Sequence, residues 1–546
     1  MKTGSNGNNE AAMTLAELLT AANIPAPDSR SSLLNVTVTG VAQDSQRLLA
    51  GQVFVARRGM KRDAHTFVPQ VIARGAVAIV GSAKASEQRT FAWHGQLPYI
   101  YVPDDRLAIA QLAAAFHGHP SRHMHVSGVT GTDGKTTTSF MLHHLLVAKH
   151  KSSLLSTAGI RIGQASAALE GHFTTPEASE VQRLLAQFRA ANSSHVVLES
   201  SSHGLALKRL AEVDYDVAVW TNLTPEHLDF HGTFAAYRQA KLELMRRAKT
   251  SIINAADDNA PWFIRAATEA GGKVVRYAVT ASDMATGDMA TGDMAGQNTP
   301  AVDWPAVDSQ GVDWQGEVLE ESPEGLRWRL LVPALGVRRE VFLPMVGRYN
   351  VANALAALAA ASQTGLEVDA LCDRLETFSG VAGRMERVLL AEVTLPFNVI
   401  VDFAHTPDSL RKALRALRPQ TKRRLIVVIG AAGERDPGKR SGLASVALQD
   451  ADYAVFTEED SRSEDIHAIL QTMADAAAQL GREGQQFVRI ANRHDAISHA
   501  INYAQAGDTV LLAGKGHETS LERADAVLDW HEVDEAQRAL NVRFNR

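Results

Sequence analysis

A chain of 546 residues is longer than one ordinary core can bury, so two to four domains are expected. Hydrophobic residues at 45% and charged residues at 21% exclude a disordered chain and predict a soluble globular protein. A net charge of −6 without basic runs argues against nucleic-acid binding, the single cysteine excludes an internal disulfide or cysteine zinc site, and no apolar stretch is long enough for membrane insertion.

Residues 1–10 are polar without a signal-peptide core, so a cytoplasmic location is expected. Residues 14–22 read as a short amphipathic helix, and 36–41 and 51–56 as strands flanking an Asp44-Ser45 turn. A helix over 67–74, an apolar run at 76–80, a strand at 99–102 and a helix over 107–116 lead to a boundary at His119-Pro120.

A β-favouring run at 125–129 then enters Gly131-Thr132-Asp133-Gly134-Lys135-Thr136-Thr137, and a helical run at 139–146 follows. Strand, glycine turn and helix N-terminus together make a phosphate cradle. Free backbone N–H groups and the helix dipole favour an anion, Lys135 adds a mobile charge, and Thr136 can ligate Mg²⁺. The spacing departs from G-x-x-x-x-G-K-T, because Val129 stands where the first glycine belongs.

Alternating strand and helix patterns follow, the signature of a parallel sheet covered on both faces. Strands at 196–198 and 217–220 end in Glu199 and in Thr221-Asn222, and ligands gather at such carboxyl ends. Residues 282–296 repeat a five-residue unit and read as an expanded loop. Residues 346–353 open an alanine-rich helix, Cys372 reads as a buried helical thiol, and 383–386 lie near a second boundary. Strands at 399–401, 425–429, 453–456 and 509–512, with helices at 409–417 and 466–480, predict a doubly wound C-terminal section.

Taken singly, Glu199 reads as a solvated glutamate, His227 as a structural histidine and Lys241 as a surface lysine. Their company with a phosphate loop changes that reading. The loop, together with Glu199-Ser-Ser-Ser-His-Gly204, the 222–232 segment and Asp402-Phe-Ala-His-Thr-Pro-Asp408, resembles the Mur ligase family, MurE type, over about residues 14–540. The resemblance implies an α/β fold of three domains. These are an N-terminal UDP-sugar-binding domain (1–120), a central P-loop-type ATP-binding domain with a parallel sheet (121–384) and a dinucleotide-fold-like amino-acid-binding domain (385–546).

It also implies an ATP- and Mg²⁺-dependent ligase that adds a diamino acid to UDP-N-acetylmuramoyl-L-alanyl-D-glutamate through an acyl phosphate, acting as a monomer. Lys135, Glu199, His227 and Lys241 would be catalytic, with Thr136, Glu199 and His227 on metal and Lys241 carbamylated to N6-carboxylysine. ATP would meet Gly131, Thr132, Asp133, Gly134, Lys135, Thr136, Thr137, Asn350, Arg384, Asp402, His405 and Lys439. The precursor would meet Ser45, Thr174, Thr175, Ser202 and Arg209. Gln46 replaces the arginine of the family's D-S-R, with Arg47 as the candidate substitute, and Leu207 stands where some members carry glutamine.

By the same resemblance Arg435 would hold the incoming α-carboxylate, and Gly514 and Glu518 an amino group. Glu459-Asp460-Ser461-Arg462 occupies the D-N-P-R position of diaminopimelate-adding enzymes. Arg462 suits a second carboxylate, whereas Asp460 suits a terminal ammonium. Meso-diaminopimelate is placed first for Arg462, with L-lysine and L-ornithine left open. Folylpolyglutamate synthetase, which lacks the N-terminal domain, and a non-catalytic nucleotide-binding regulator are the alternatives. Intact Lys135, Thr136, Glu199, His227 and Lys241 count against the regulator.

Overall fold

The computed structural model describes residues 13–26, 32–59, 62–89, 95–163, 165–167, 175–280, 311–322, 324–390, 393–435 and 437–544. The 282–296 repeat and Thr174 lie outside the described residues. The chain divides into two compact units: residues 1–135, 146–253 and 257–275, and residues 136–145, 254–256 and 276–546. No described helix is long and apolar enough to cross a membrane.

Besides the antiparallel pair Met13–Thr14 and Thr37–Val38, the first unit holds two larger sheets. One is a parallel sheet in the order Gly40–Ala42, Gln52–Ala56, Ala78–Gly81, Tyr99–Tyr101. Val53, Phe54, Val55 and Ala56 are all fully buried, so this strand reads as a continuous apolar run rather than an alternating one. The Asp104 carboxylate accepts from the N–H groups of Arg106 and Leu107, starting helix Asp105–Phe116. Ala108, Ile109, Leu112 and Ala115 of that helix share a core with Leu15, Leu18, Val53 and Val55.

In the second sheet, parallel strands run in the order Ser152–Ser156, His195–Glu199, His125–Thr130, Tyr215–Trp220, Ala248–Asn254. Gly159–Ile162 and Ala165–Ala167 extend it as antiparallel strands. Trp220 stacks on Phe263 of helix Ala260–Glu269, with ring centroids 3.8 Å apart, and such a pair adds about 0.5–1.5 kcal/mol beyond its area burial. Register does the positioning. Glu199 aligns with Val129 and Trp220 with Thr130, so Glu199, the glycine loop and Thr221-Asn222 emerge from one edge.

In the second unit, Tyr277 to Thr280 pair in parallel with the start of Trp314–Ser322, and Gly325–Val332 and Val337–Leu343 complete an antiparallel meander. Helix Tyr349–Ser362 is buried nearly all round, from Ala354 to Ala361. Leu355 packs so close to Gly316 that a Cβ there would lie 2.7 Å from its Cδ1. Cys372 is fully buried in helix Val368–Leu375, and burial pushes its thiol up to about 12.

The last sheet has the order Glu386–Arg387, Asn398–Asp402, Thr509–Ala513, Leu425–Ala431, Tyr453–Glu458, Phe487–Arg489, parallel after the first pair. One face packs against helices Pro407–Leu417, Gly438–Asp450 and Ile466–Ala477, and the other against Arg493–Tyr503 and Glu532–Arg543. The expected doubly wound arrangement is therefore present. Arg493 and Glu532 form a fully buried ion pair at 2.6 Å, and the Trp530 indole N–H donates to the same carboxylate.

Candidate active site

The phosphate-type loop is shaped by what cannot fit beside it. A Cβ on Gly131 would lie 1.8 Å from Thr221 Oγ1, and Gly134 takes a φ of +81°, open to glycine at little cost. The Thr132 N–H donates to the Asn222 carbonyl (3.0 Å) and the Asp133 N–H to Asn222 Oδ1 (2.9 Å). Thr221 Oγ1 and Asn222 Nδ2 donate back to the Asp133 carbonyl. Residues at the end of one strand thus hold the loop that follows its neighbour. Helix Lys135–Leu146 begins immediately, and Lys135 Nζ donates to the Thr132 carbonyl at 2.7 Å.

Glu199 is buried at its strand end. Its carboxylate accepts from Ser156 Oγ (2.5 Å), Thr157 Oγ1 (3.0 Å) and the Thr157 N–H (3.1 Å). Lys241 projects from helix Phe234–Arg247 and is buried, with Nζ donating to the Gly131 carbonyl and 4.7 Å from the Tyr237 ring centroid. Desolvation, with help from Lys135, holds the Lys241 amine well below the ordinary lysine value, while Glu226, Asp133 and Glu199 oppose the shift. Lys241 is thus buried beside the loop rather than solvated as a surface charge.

His227 sits in the left-handed region at φ 54°, its Nε2 3.6 Å from Glu226 Oε2. His203 makes an edge contact with it, and desolvation followed by His227 lowers His203 to about 4. His231 is likewise lowered to about 4, chiefly by desolvation, and its Nε2 lies 3.1 Å from Ser202 Oγ. Among the described residues no three His, Cys, Asp or Glu side chains form a metal-ligating group. The expected set contains only two residues of those types, Glu199 and His227, with Thr136 as the third.

Of the precursor candidates, Thr175 and Arg209 are brought together, while the Ser202 hydroxyl meets His231. Thr175 Oγ1 lies 2.9 Å from Ser201 Oγ, and Arg209 donates to the Thr175 carbonyl (2.8 Å) and to Glu177 (2.6 Å). Arg57 donates to the other oxygen of Glu177, so Arg209 arrives already ion-paired. Ser45 lies in a turn closed by the Gln46 N–H donating to Asp44 Oδ1, and Arg47 is exposed, 3.9 Å from Asp44.

In the second unit, Thr136 and Thr137 are buried, and Arg384 Nη2 donates to Thr136 Oγ1 at 3.4 Å. Arg384 lies over the Phe403 ring at 4.6 Å. Asp402 accepts from the N–H groups of Met385 and Ala404, and desolvation raises its carboxyl against the pull of Arg384. His405 Nδ1 lies 2.9 Å from the Phe403 carbonyl oxygen. Asn350 is joined through Asn353 to Thr138 by side-chain hydrogen bonds. Lys439 is half-buried near the start of helix Gly438–Asp450.

The expected amino-acid contacts gather at strand ends of the last sheet. Arg435 is exposed there. Asp460 is buried and accepts from Lys515 Nζ (2.8 Å) and from the Glu522 N–H (3.0 Å), and Lys515 also meets Glu518 at 2.6 Å. Arg462 donates to Glu522 (2.9 Å) and to the Gly433 carbonyl (2.7 Å), with Asp460 3.8 Å away. Lys515 and Glu522 were not among the expected site residues, since only the folded chain brings Glu522 to a side chain sixty positions earlier.

Three family models match along the chain. They are described as the Mur ligase family catalytic domain (residues 37–117), the Mur ligase middle domain (129–361) and the Mur ligase glutamate ligase domain (383–516). The UDP-N-acetylmuramyl-tripeptide synthetase of Deinococcus radiodurans is 44% identical, covering 97% of this chain and all of the relative. The UDP-N-acetylmuramoyl-L-alanyl-D-glutamate–2,6-diaminopimelate ligase of Geobacillus thermodenitrificans is 37% identical over 93% of this chain and 96% of its own. A solved structure of a ligase with that same description superposes with a TM-score of 0.64 at 27% identity, covering 98% of this chain and 99% of that one. With an α/β fold in N-terminal, middle and C-terminal domains, the chain belongs to the Mur ligase family.

Proposed function

We propose that this protein is an ATP-dependent ligase joining an amino group of a diamino acid to the D-glutamate carboxylate of UDP-N-acetylmuramoyl-L-alanyl-D-glutamate, with ADP and phosphate as the other products. The names of the relatives support the acceptor. The observation that carries the chemistry is Lys241, a buried amine held against the phosphate-type loop at the sheet edge that also bears Glu199.

A substrate carboxylate oxygen attacks the γ-phosphorus of ATP, the bond to the bridging oxygen breaks, and ADP leaves. The amine nitrogen then attacks the acyl carbon, phosphate departs with the C–O electron pair, and the nitrogen loses its proton. Phosphoryl transfer asks the protein for positioning and charge more than for covalent help. Lys135 and the N–H groups at the start of its helix serve that need, since the Thr132 and Asp133 N–H groups are taken by Asn222. In the second unit we assign nucleotide contacts to Asn350, Arg384, Asp402, His405 and Lys439, and in the first we assign precursor contacts to Thr175, Ser202 and Arg209, with Ser45 toward the uridine.

Mg²⁺ fits the residues present, because Glu199 is a buried carboxylate held by neutral donors, the hard-oxygen type that this ion takes. By the family resemblance Glu199 and Thr136 would hold one ion and Glu199 would share a second with His227, and bound there these ions would neutralise developing phosphate charge. A depressed Lys241 amine is nucleophilic toward carbon dioxide: the nitrogen bonds the carbon, a proton is lost, and a carbamate anion results. Domain boundaries near residues 120 and 384, a monomer, and a cytoplasmic site where ATP and a UDP-linked precursor are at hand belong to the same reading.

The test is incubation of purified protein with ATP, Mg²⁺, the UDP-muramoyl dipeptide and a diamino acid, followed by mass analysis. A product heavier by the amino acid minus water supports the reading. Nucleotide hydrolysis with no such product overturns it.

A further inference from the structure

At the carboxyl ends of Leu425–Ala431 and Tyr453–Glu458, five carboxylates (Glu458, Glu459, Asp460, Glu518 and Glu522) gather, and four of them share three cations. Arg523 is taken by both oxygens of Glu458, Lys515 by Asp460 and Glu518, and Arg462 by Glu522. Arg493, the next cation, is committed to Glu532. Glu459 is left over. It is only 8% exposed, and among the described residues no hydrogen bond or ion pair reaches its carboxylate. Burial raises its carboxyl above the usual range. Its Oε2 faces Gly514, where a Cβ would come within 3.1 Å, so the missing side chain keeps that approach open.

A carboxylate largely shielded from water and left without a donor is costly, and a ligand cation would supply what it lacks. Arg462 cannot offer its charge to a second ligand carboxylate on equal terms. Its guanidinium is matched by Glu522, its N–H donates to the Glu522 carbonyl, and its backbone is held at φ 50°. A ligand carboxylate entering here would meet an excess of negative charge.

We infer that Glu459 receives the distal ammonium of the incoming diamino acid and that Glu522, by occupying Arg462, selects against a distal carboxylate, so that the amino acid used is an α,ω-diamino acid bearing no second carboxylate. This inference rests on the proposed ligase reading. Glu459 is a binding residue in it, and Glu522 is a positioning residue that acts through Arg462.

The test compares kcat/KM for L-ornithine, L-lysine and meso-diaminopimelate with ATP and the UDP-muramoyl dipeptide at saturation. L-ornithine or L-lysine is expected to exceed meso-diaminopimelate by about tenfold or more, since unpaired groups in a polar pocket discriminate strongly. Glu459→Gln is expected to raise KM for the preferred amino acid about tenfold with KM for ATP unchanged. Glu522→Ala is expected to shift the ratio toward meso-diaminopimelate, which loss of structure alone would not do. A wild-type preference for meso-diaminopimelate, or a ratio unmoved by both variants, overturns the inference and leaves the ligase standing. Silence with all three amino acids overturns the ligase reading and this inference with it.

Discussion

The Nζ of Lys241 and the carbonyl of Gly131 are hydrogen-bonded inside the first unit, tying helix Phe234–Arg247 to the glycine loop. The same amine is the group proposed to become a carbamate, so it serves loop geometry and chemistry together. Lys241→Ala is expected to lower kcat by on the order of 10²-fold or more, in the range for losing an electrostatic stabiliser. Formate or acetate at high concentration should restore part of that loss by supplying the missing anion. Full activity in the variant would remove the carbamate from the account.

Lys135 lies at the start of its helix and folds back on the Thr132 carbonyl. Lys135→Ala should lower turnover by on the order of 10²–10³-fold while the fold is retained. Circular dichroism and a steady-state assay together check this. Near-normal turnover would sink the phosphate-loop assignment.

Gly131 has no room for a side chain, with Thr221 Oγ1 1.8 Å from where a Cβ would stand. Gly131→Ala should cost about 1–3 kcal/mol, as overpacking does, and displace the loop. Tm measured with and without nucleotide reads both effects. An unchanged Tm together with unchanged turnover would contradict the tight packing described.

The expectations that carried well came from strong local patterns. The 125–129 run is strand His125–Thr130, the 453–456 run is Tyr453–Glu458, and the alanine-rich stretch is Tyr349–Ser362. Periodicity misplaced ends: helix Lys135–Leu146 starts four residues before 139, because threonines carry little hydrophobic signal. The meander from Trp314 to Leu343 went unread, since long-range pairing rather than local propensity defines it. Burial was equally illegible. Nothing near Lys241 in the sequence marks it as buried, and Glu522 acquires meaning only through Arg462.

His125, His150 and His195 stack at one end of the first unit's larger sheet, with centroids 5.0 Å and 3.9 Å from His195. Desolvation, then His150 and His125, depress His195 to about 4, and desolvation lowers the other two as well. The unfolded chain takes up these protons first, near pH 6.5. Stability from this source is therefore complete above pH 6.5, falls as pH drops below it, and stops falling near pH 4. Urea midpoints from pH 7.5 to 5 should decline, and His195→Gln should flatten the decline. A midpoint independent of pH would contradict the half-buried, neutral stack.

The central claim is an amide bond made through an acyl phosphate, and the path of one oxygen atom tests it most directly. The UDP-muramoyl dipeptide would carry ¹⁸O in its D-glutamate side-chain carboxylate, and the phosphate released during turnover would be weighed. The account predicts one labelled oxygen in each phosphate, carried over when the carboxylate attacked the γ-phosphorus. Unlabelled phosphate accompanying amide product would contradict it.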